Sequence, residues 1–260
     1  MKKITLLVCI VMIGLFASTG CIAQNTQASV YKIYNEFAQS MNDAKTSDTE
    51  LDLKINMDEG ENNLEIATTG NIKIDIRNEQ NIKMLMDMNF KTINMDMSMK
   101  MYFEDGYAYV DYSGQKFKSE MPLDAAMQQI KANTEVIMFP ETAVKDFETS
   151  KIDGITKHSF TLEANAIRDA LKSTLDNIQM QVGQTLDDSN VEMGDMICEI
   201  EMGKNGKVSN YRSVFKLSVQ AEEQNIKMDN DIKIKINSIG GDIIIDPPAD
   251  LDQYQQQGTM

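Results

Sequence analysis

The feature that most constrains this chain's fold is a strict alternation of apolar and polar side chains in its first half. Apolar residues take every second position in segment 82–90, and segment 93–103 repeats the pattern in the other phase. Successive side chains of a β-strand point to opposite faces of a sheet, so this period predicts antiparallel strands with one apolar and one solvated face. The phase change between Phe90 and Ile93 predicts a turn or bulge, because a slip of one residue exchanges the faces.

Four dipeptides that favour tight turns separate further strand-like segments. They are Asp105-Gly106, Ser113-Gly114, Asp153-Gly154 and Asn205-Gly206. Glycine supplies the positive φ that short hairpin turns require, so the turns predict hairpins over 107–121, 144–163 and 191–220. Segment 226–237 is predicted to be one more strand and 243–245 a last short one. The tail from Asp250 is polar and is predicted to be loose.

Three segments carry the spacing of three and four residues that is typical of helices. The first spans 27–44 and presents Val30, Ile33, Tyr34, Phe37, Ala38 and Met41 as one stripe. A short helix follows Pro122, and a longer one is predicted over 167–182 with Asn165 as its N-cap. Because a twisted sheet of about ten strands curls, the predicted fold class is α+β. It is a large curled antiparallel sheet with an N-terminal helix and helices packed on the concave face.

Residues 1–23 read as a lipoprotein-type signal peptide. Lys2 and Lys3 precede an apolar run over 4–16, which is shorter than the roughly 20 residues that span a bilayer. Ser18-Thr19-Gly20-Cys21 resembles a lipobox and predicts cleavage before Cys21 with acylation of that cysteine. Ser18 stands where leucine is usual, so ordinary cleavage after Ala23 is the alternative. A single β-rich domain is predicted over 24–250 and a polar tail over 251–260.

Charge and residue types exclude several classes of function. The formal net charge of -15 opposes binding to nucleic acid and to anionic lipid head groups, so membrane attachment would depend on the anchor. Cys198 is the single cysteine of the domain and is predicted to be a small buried hydrophobe. His158 is the chain's one histidine and is predicted to be a surface or hairpin histidine. With no second histidine and no catalytic motif, we expect no enzyme activity, no cofactor and no metal site.

The order of these segments resembles a known family. A lipoprotein-type leader precedes an amphipathic helix, methionine-rich strands and the hairpin sequence Phe-Glu-Asp-Gly-Tyr-Ala-Tyr-Val at 103–110. The chain then closes with Ile-Gly-Gly at 239–241 and an apolar segment that ends at Pro247. This order is similar to the LolA/LppX-like surface lipoproteins and related uncharacterised Gram-positive lipoproteins. The resemblance implies a half-open β-barrel with helices as a lid, which holds acyl chains or another apolar ligand.

Twenty methionines and no tryptophan make methionine the chain's most distinctive side chain. Because methionine is unbranched and polarisable, a wall of it suits irregular apolar partners, so the methionines of two strands are the predicted ligand-binding lining. They are Met84, Met86, Met88, Met95, Met97, Met99 and Met101. The same residues would equally fill a core between sheet and helix. Thioethers also suit Cu(I), although same-face residues of one strand lie about 7 Å apart, so several strands would have to contribute.

These patterns together predict an exported protein that binds a lipid or another apolar ligand for transport or sensing. It would lie on the outer face of the cell membrane as a lipoprotein, or be secreted if Cys21 is not acylated. The alternative is a structural or interaction lipoprotein whose core is packed and whose surface binds a protein or cell-wall partner. Cu(I) binding through the methionine-rich strands is a third hypothesis.

Overall fold

The structure is a computed structural model that describes residues 26–58, 63–78, 80–134, 138–168, 191–221 and 224–256. Its helices are α1 (Gln27–Asn42) and α2 (Leu123–Thr134), with 3-10 turns at Glu141–Ala143 and Leu251–Gln253 and a helical segment at 164–168. The strands are β1 (Thr46–Asp58), β2 (Asn63–Asp75), β3 (Lys83–Thr92), β4 (Met95–Glu104), β5 (Tyr107–Tyr112), β6 (Gln115–Glu120), β7 (Val144–Ile152), β8 (Ile155–Leu162), β9 (Val191–Met193), β10 (Met196–Met202), β11 (Val208–Ala221), β12 (Gln224–Ile239) and β13 (Gln255–Gln256).

All thirteen strands belong to one sheet, in the order β13-β6-β5-β4-β3-β2-β1-β12-β11-β10-β8-β7, with β9 also paired to β11. Every pairing is antiparallel except that of β13 with β6. The pairing of β1 with β12 joins a first-half meander to a second-half meander, and it extends over the whole of β1 from Ser47 onward. The predicted α+β class, with a large and mostly antiparallel sheet that does not close into a barrel, is confirmed.

The hairpin turns have the backbone conformation that their sequences predict. Both residues of Asp105-Gly106, Ser113-Gly114 and Asp153-Gly154 have positive φ, which is the signature of type I′ turns. The predicted break between Phe90 and Ile93 is also a turn, since Thr92 pairs with Met95 across the β3–β4 hairpin. Ile93 and Asn94 therefore form a two-residue loop.

Helix α1 begins at a capping box in which the Thr26 and Ser29 side chains each accept a hydrogen bond from the other residue's backbone N–H. The predicted apolar stripe is confirmed, because all six of its side chains are buried in the larger of two hydrophobic clusters. Inner-face residues of β1, β8, β10, β11 and β12 supply most of the rest of this cluster. Residues Leu53, Phe160 and Ile200 are almost fully buried in it.

Three strand and helix boundaries differ from the prediction. Segment 191–202 is two strands, β9 and β10, which are separated at Gly194 and Asp195. The Gly194 N–H donates to the Lys216 carbonyl oxygen, and the Asp195 carboxylate accepts from the Ala164 N–H. Segment 243–245 is not a strand, and Ile244 is exposed there. The late helix begins at residue 164, so Asn165 lies inside its first turn and is not the N-cap. Residues 169–182 of the predicted helix lie outside the described residues.

The prediction of a loose tail from Asp250 is wrong for residues 250–256. The Tyr254 ring packs edge-on against Tyr109 with 5.6 Å between ring centroids, and Lys116 forms an ion pair with Asp250. Strand β13 then adds to the edge strand β6 in parallel. A tyrosine within a polar segment supplies the apolar contact that holds this strand on the sheet.

Candidate functional site: the methionine face

Strand pairing brings the two predicted rows of methionines together on one face of the sheet. Met86 lies directly opposite Met101, and Met88 lies directly opposite Met99. Strands are about 4.8 Å apart, so the two rows form one continuous surface. We call this surface the methionine face, and it consists of Met84, Met86 and Met88 on β3 with Met95, Met97, Met99 and Met101 on β4.

Burial divides the methionine face into core residues and accessible residues. Met84, Met88 and Met101 are buried, with at most 7% of their surface exposed. Met86, Met97 and Met99 are half-buried. Met95 is 46% exposed, so exposure on β4 increases from Met101 toward the β3–β4 turn. Three of the seven methionines are therefore core residues, and the other four keep part of their surface accessible.

Two helices cover different parts of the inner face. Ala126 and Ile130 of α2 pack in a cluster with Met84 and Met101. Helix α1 belongs to the other cluster, which contains Met88. Half-buried Met86 packs against both clusters, so the methionine face bridges the areas that the two helices cover.

A glycine on the neighbouring strand makes room for the central methionine. Gly70 of β2 pairs with Met88, and a Cβ at position 70 would overlap the Met88 sulphur and the Asp87 carbonyl oxygen. The absence of a side chain at Gly70 is therefore a packing requirement.

An open cavity of about 820 Å³ lies at one end of the strands. Its apolar lining residues are Met57, Leu64, Ile93, Met193, Leu217 and Met228. Ile93 follows β3, and Met193 lies on β9, which pairs with β11. In the sheet, β2, β1 and β12 lie between β3 and β11. Because Ile93 and Met193 nevertheless line the same cavity, the sheet must curl. We call the strand ends that carry these six residues the open end. The volume lies within the range of about 300–1,000 Å³ that is typical of ligand pockets.

The sequence pattern does not identify these cavity residues. Met57, Leu64, Leu217 and Met228 sit in ordinary alternating strands, and no pattern shows that distant strand ends meet. Ile93 alone carries a signal, because an isoleucine in a two-residue hairpin loop is unusual where asparagine, aspartate and glycine predominate. Its side chain is 71% exposed.

Charged residues surround the apolar lining of the cavity. Asp58, Glu65, Glu192 and Asp229 are acidic, whereas Lys216 and Lys227 are basic. The Lys216 Nζ lies 3.4 Å from the Asp229 carboxylate, so these two charges compensate each other. The remaining charge is mainly negative, which disfavours anionic groups at the cavity mouth.

Cys198 and His158 are both buried in the sheet. Cys198 is fully buried as predicted, and burial raises the pKa of its thiol to about 12. His158 lies in the β7–β8 hairpin, which is one of its two predicted positions. The other, a surface position, is wrong because the side chain points to the inner face and is 7% exposed. Burial lowers the pKa of His158, whose Nδ1 lies 2.9 Å from the Thr149 hydroxyl. Among the described residues, no group of three or more His, Cys, Asp or Glu side chains is placed to hold a metal ion.

The outer face of the sheet is polar and joined by ion pairs. Arg212 bridges Asp231 at 2.8 Å and Glu199 at 3.4 Å, which links three adjacent strands. The Arg212 hydrogen bond holds the pKa of the Asp231 carboxyl below its usual range. A second cavity of about 730 Å³ lies on this face, and Glu50, Asp52, Glu201, Lys233 and Lys235 are among its lining residues.

The leader, including Cys21, lies outside the described residues, so its cleavage and acylation stay predictions. Of the helices in the described part of the chain, none has the length and apolar character needed to cross a bilayer.

Comparison with known proteins identifies structural relatives only. Neither a protein-family model nor a curated protein sequence matches the chain. Among solved structures, LprF from Mycobacterium bovis is similar with a TM-score of 0.42 and 11% identity, over 86% of this chain and 97% of LprF. The Mycobacterium tuberculosis lipoprotein LppX is similar with a TM-score of 0.37 and 7% identity, over 85% of this chain and 96% of LppX.

A DUF1329 family protein from Desulfovibrio piger is also similar, with a TM-score of 0.27 and 7% identity over 82% of this chain and 94% of that protein. The lipoprotein LppX, which the resemblance names, is thus among the solved structures to which this chain is similar. Identities this low give no residue-by-residue correspondence, so the function has to be inferred from this chain's own residues.

Proposed function

We propose that this chain is a surface lipoprotein that binds a lipid or another apolar molecule between its methionine face and its open end, for transport or sensing. The observation that carries the proposal is the gradient of exposure along β4, from buried Met101 to exposed Met95. A face that only filled a core would be covered along its length. Here the accessible methionines lead toward an apolar cavity of ligand size.

The chemistry of the lining favours an adaptable apolar ligand over a rigid polar one. The three methionines Met57, Met193 and Met228 line the cavity, so thioether side chains serve both the cavity and the methionine face. Methionine adjusts its three rotatable bonds to irregular partners, which suits acyl chains. The acidic residues around the cavity favour an uncharged or zwitterionic head group over an anionic one.

Titration with the uncharged apolar fluorophore N-phenyl-1-naphthylamine tests the site. Binding should raise its emission, and added phospholipid should displace it. The substitution Met95→Glu introduces a charge on the accessible part of the methionine face and should weaken binding about tenfold or more. Met138→Glu is the matched control, because Met138 is also 46% exposed but lies outside the methionine face. Equal affinity in the two variants would place the ligand elsewhere.

We also propose that the chain is attached to the outer face of the membrane through acylated Cys21. Two acyl chains at one residue hold a protein stably where a single chain does not. Metabolic labelling with a radioactive fatty acid should label the wild type, and Cys21→Ser should abolish the label and release the protein. Labelling of Cys21→Ser, or release of the wild type after cleavage at Ala23, would contradict the anchor.

An interaction lipoprotein is the second candidate, and one observation favours it. Helices α1 and α2 already cover much of the inner face, and Met84, Met88 and Met101 are buried beneath the chain's own residues. On this alternative the outer-face cavity of about 730 Å³, with its charged lining, is where a polar partner would bind. Reversing the charge of Lys233 and Lys235 should then change partner binding and leave fluorophore binding intact. Cu(I) binding across the paired methionines stays a third hypothesis that titration with the metal alone can test.

A further inference from the structure

We infer that the open end of the sheet is a membrane-contact surface, with the β3–β4 turn inserting Ile93 and Met95 into the outer layer of a bilayer. The inference rests on the proposed anchor and adds an orientation to it. Ile93 is 71% exposed and lies in the two-residue turn, and Met95, which is 46% exposed, is the first residue of β4 after it. Exposure alone does not select this turn, because Ile152 and Ile155 are 70% and 43% exposed at the tip of the β7–β8 hairpin, so the position of the anchor has to select it.

The turn lies at the same end of the strands as the start of the described chain. One row of paired residues crosses the sheet from β7 to β4 through Lys145, Thr161, Ile197, Val214, Asp231, Lys54, Ala67, Lys91 and Asp96. Lys91 and Asp96 flank the Ile93 turn. Glu141 lies only four residues before Lys145, so it is near the same end of β7. The side-chain amide of Gln27, the first residue of α1, donates a hydrogen bond to the Glu141 carbonyl oxygen at 3.0 Å. Helix α1 therefore begins at the open end.

The position of α1 fixes where an anchor can hold the domain. Its N-cap, Thr26, lies five residues after Cys21, and five residues of fully extended chain reach at most about 18 Å. An acyl chain on Cys21 would thus hold the beginning of α1 close to the bilayer. The far end of α1 leads into Thr46 of β1, which pairs with Asp75 at the opposite end of the strands. The open end is then the end that the tether keeps near the membrane.

Charge complementarity selects the kind of bilayer. The chain carries a net charge of -15, and the cavity has more acidic than basic residues around it. Attraction to anionic head groups is therefore absent as a driving force, and insertion of apolar side chains remains. The occupant is a zwitterionic lipid surface, whose acyl chains would lie next to the cavity mouth.

The test uses single tryptophans, because the natural chain contains none. Ile93→Trp places the reporter in the turn. Ile152→Trp is the matched control, because Ile152 is 70% exposed but lies in the β7–β8 hairpin, at the opposite end of the strands. The chain from Cys21 onward is coupled through that cysteine to a maleimide phospholipid in phosphatidylcholine vesicles. Cys198 is fully buried and does not compete for the maleimide.

The inference predicts that tethering shifts the Ile93→Trp emission to shorter wavelength and that brominated acyl chains quench it, while Ile152→Trp keeps the spectrum of a solvated tryptophan. Circular dichroism confirms the fold of both variants beforehand. Unchanged emission from Ile93→Trp on the vesicle, or equal quenching of both reporters, would overturn the membrane contact. The chemical tether makes this result independent of natural acylation. Because Ile93 also lines the cavity, fluorophore titration of the untethered wild-type protein reports separately on the proposed ligand site.

Discussion

Replacing two methionines that face each other distinguishes core packing from ligand lining. Met88 and Met99 are directly opposite on β3 and β4, so they share backbone geometry and the same face of the sheet. Met88 has 0% of its surface exposed, whereas Met99 is half-buried. The substitutions Met88→Ala and Met99→Ala remove the same atoms from these two environments.

The two substitutions should lower the free energy of unfolding by different amounts. Truncating a fully buried methionine costs about 2–5 kcal/mol, because the lost transfer free energy is joined by the cost of the cavity left behind. Met99 is partly in contact with solvent, so only part of the transfer term is lost and the cost is about 1 kcal/mol. For ligand affinity the order should be reversed, since Met99 is accessible and Met88 is covered.

Urea unfolding monitored by circular dichroism gives the first quantity, and fluorophore titration gives the second. The unfolding slope should be unchanged, which shows that the midpoint shift reports stability. Equal destabilisation within about 0.5 kcal/mol, or a loss of ligand affinity in Met88→Ala alone, would refute the division of the methionine face.

Three further predictions follow from packing and charge. Gly70→Ala should lower the free energy of unfolding in urea by about 1–3 kcal/mol, because its Cβ would overlap the Met88 sulphur. Adding Met88→Ala should restore part of that free energy, and additive effects of the two substitutions would contradict this. Arg212→Ala should destabilise the protein by about 1 kcal/mol at pH 7. The Asp231 pKa is lowered in the folded state, so the stability from this pair is present above the usual aspartate pKa of about 3.9 and is lost as the pH falls through the folded pKa. A wild-type advantage that does not shrink as the pH falls below about 3.9 would exclude the pair as its source. Tyr254→Ala should release β13, which hydrogen exchange would detect as faster exchange in β6, and unchanged exchange would show that the tail is not held by this ring.

The sequence predicts local structure well wherever neighbouring residues determine it. Alternation in 82–103 gives both strands and the face that their methionines share. The Gly-containing turns give the hairpins, since positive φ is a local requirement. The apolar stripe of α1 likewise depends only on spacing along one helix.

Long-range features are less visible in the sequence. The alternation of His158 with Phe160 and Leu162 places the imidazole on the apolar face of β8, but nothing near it in the sequence shows that β10 pairs with this strand. Tyr254 looks like one aromatic residue in a polar tail, and only its distance from Tyr109 shows why the tail is ordered. The open end depends on curl, which brings Ile93 and Met193 together from strands that are not neighbours. A two-residue period gives the face of each residue but not the curvature of the sheet.

Native mass spectrometry of the protein exported in a bacterium and purified without detergent tests the central claim most directly. The proposal predicts a second species, heavier by the mass of one lipid, and recovery of that lipid by organic extraction of the purified protein. Met95→Glu should lose this species and Met138→Glu should keep it. A protein with the mass of the polypeptide and its own anchor alone, and with no uptake of offered phospholipids, would contradict ligand binding and favour an interaction lipoprotein with a packed core.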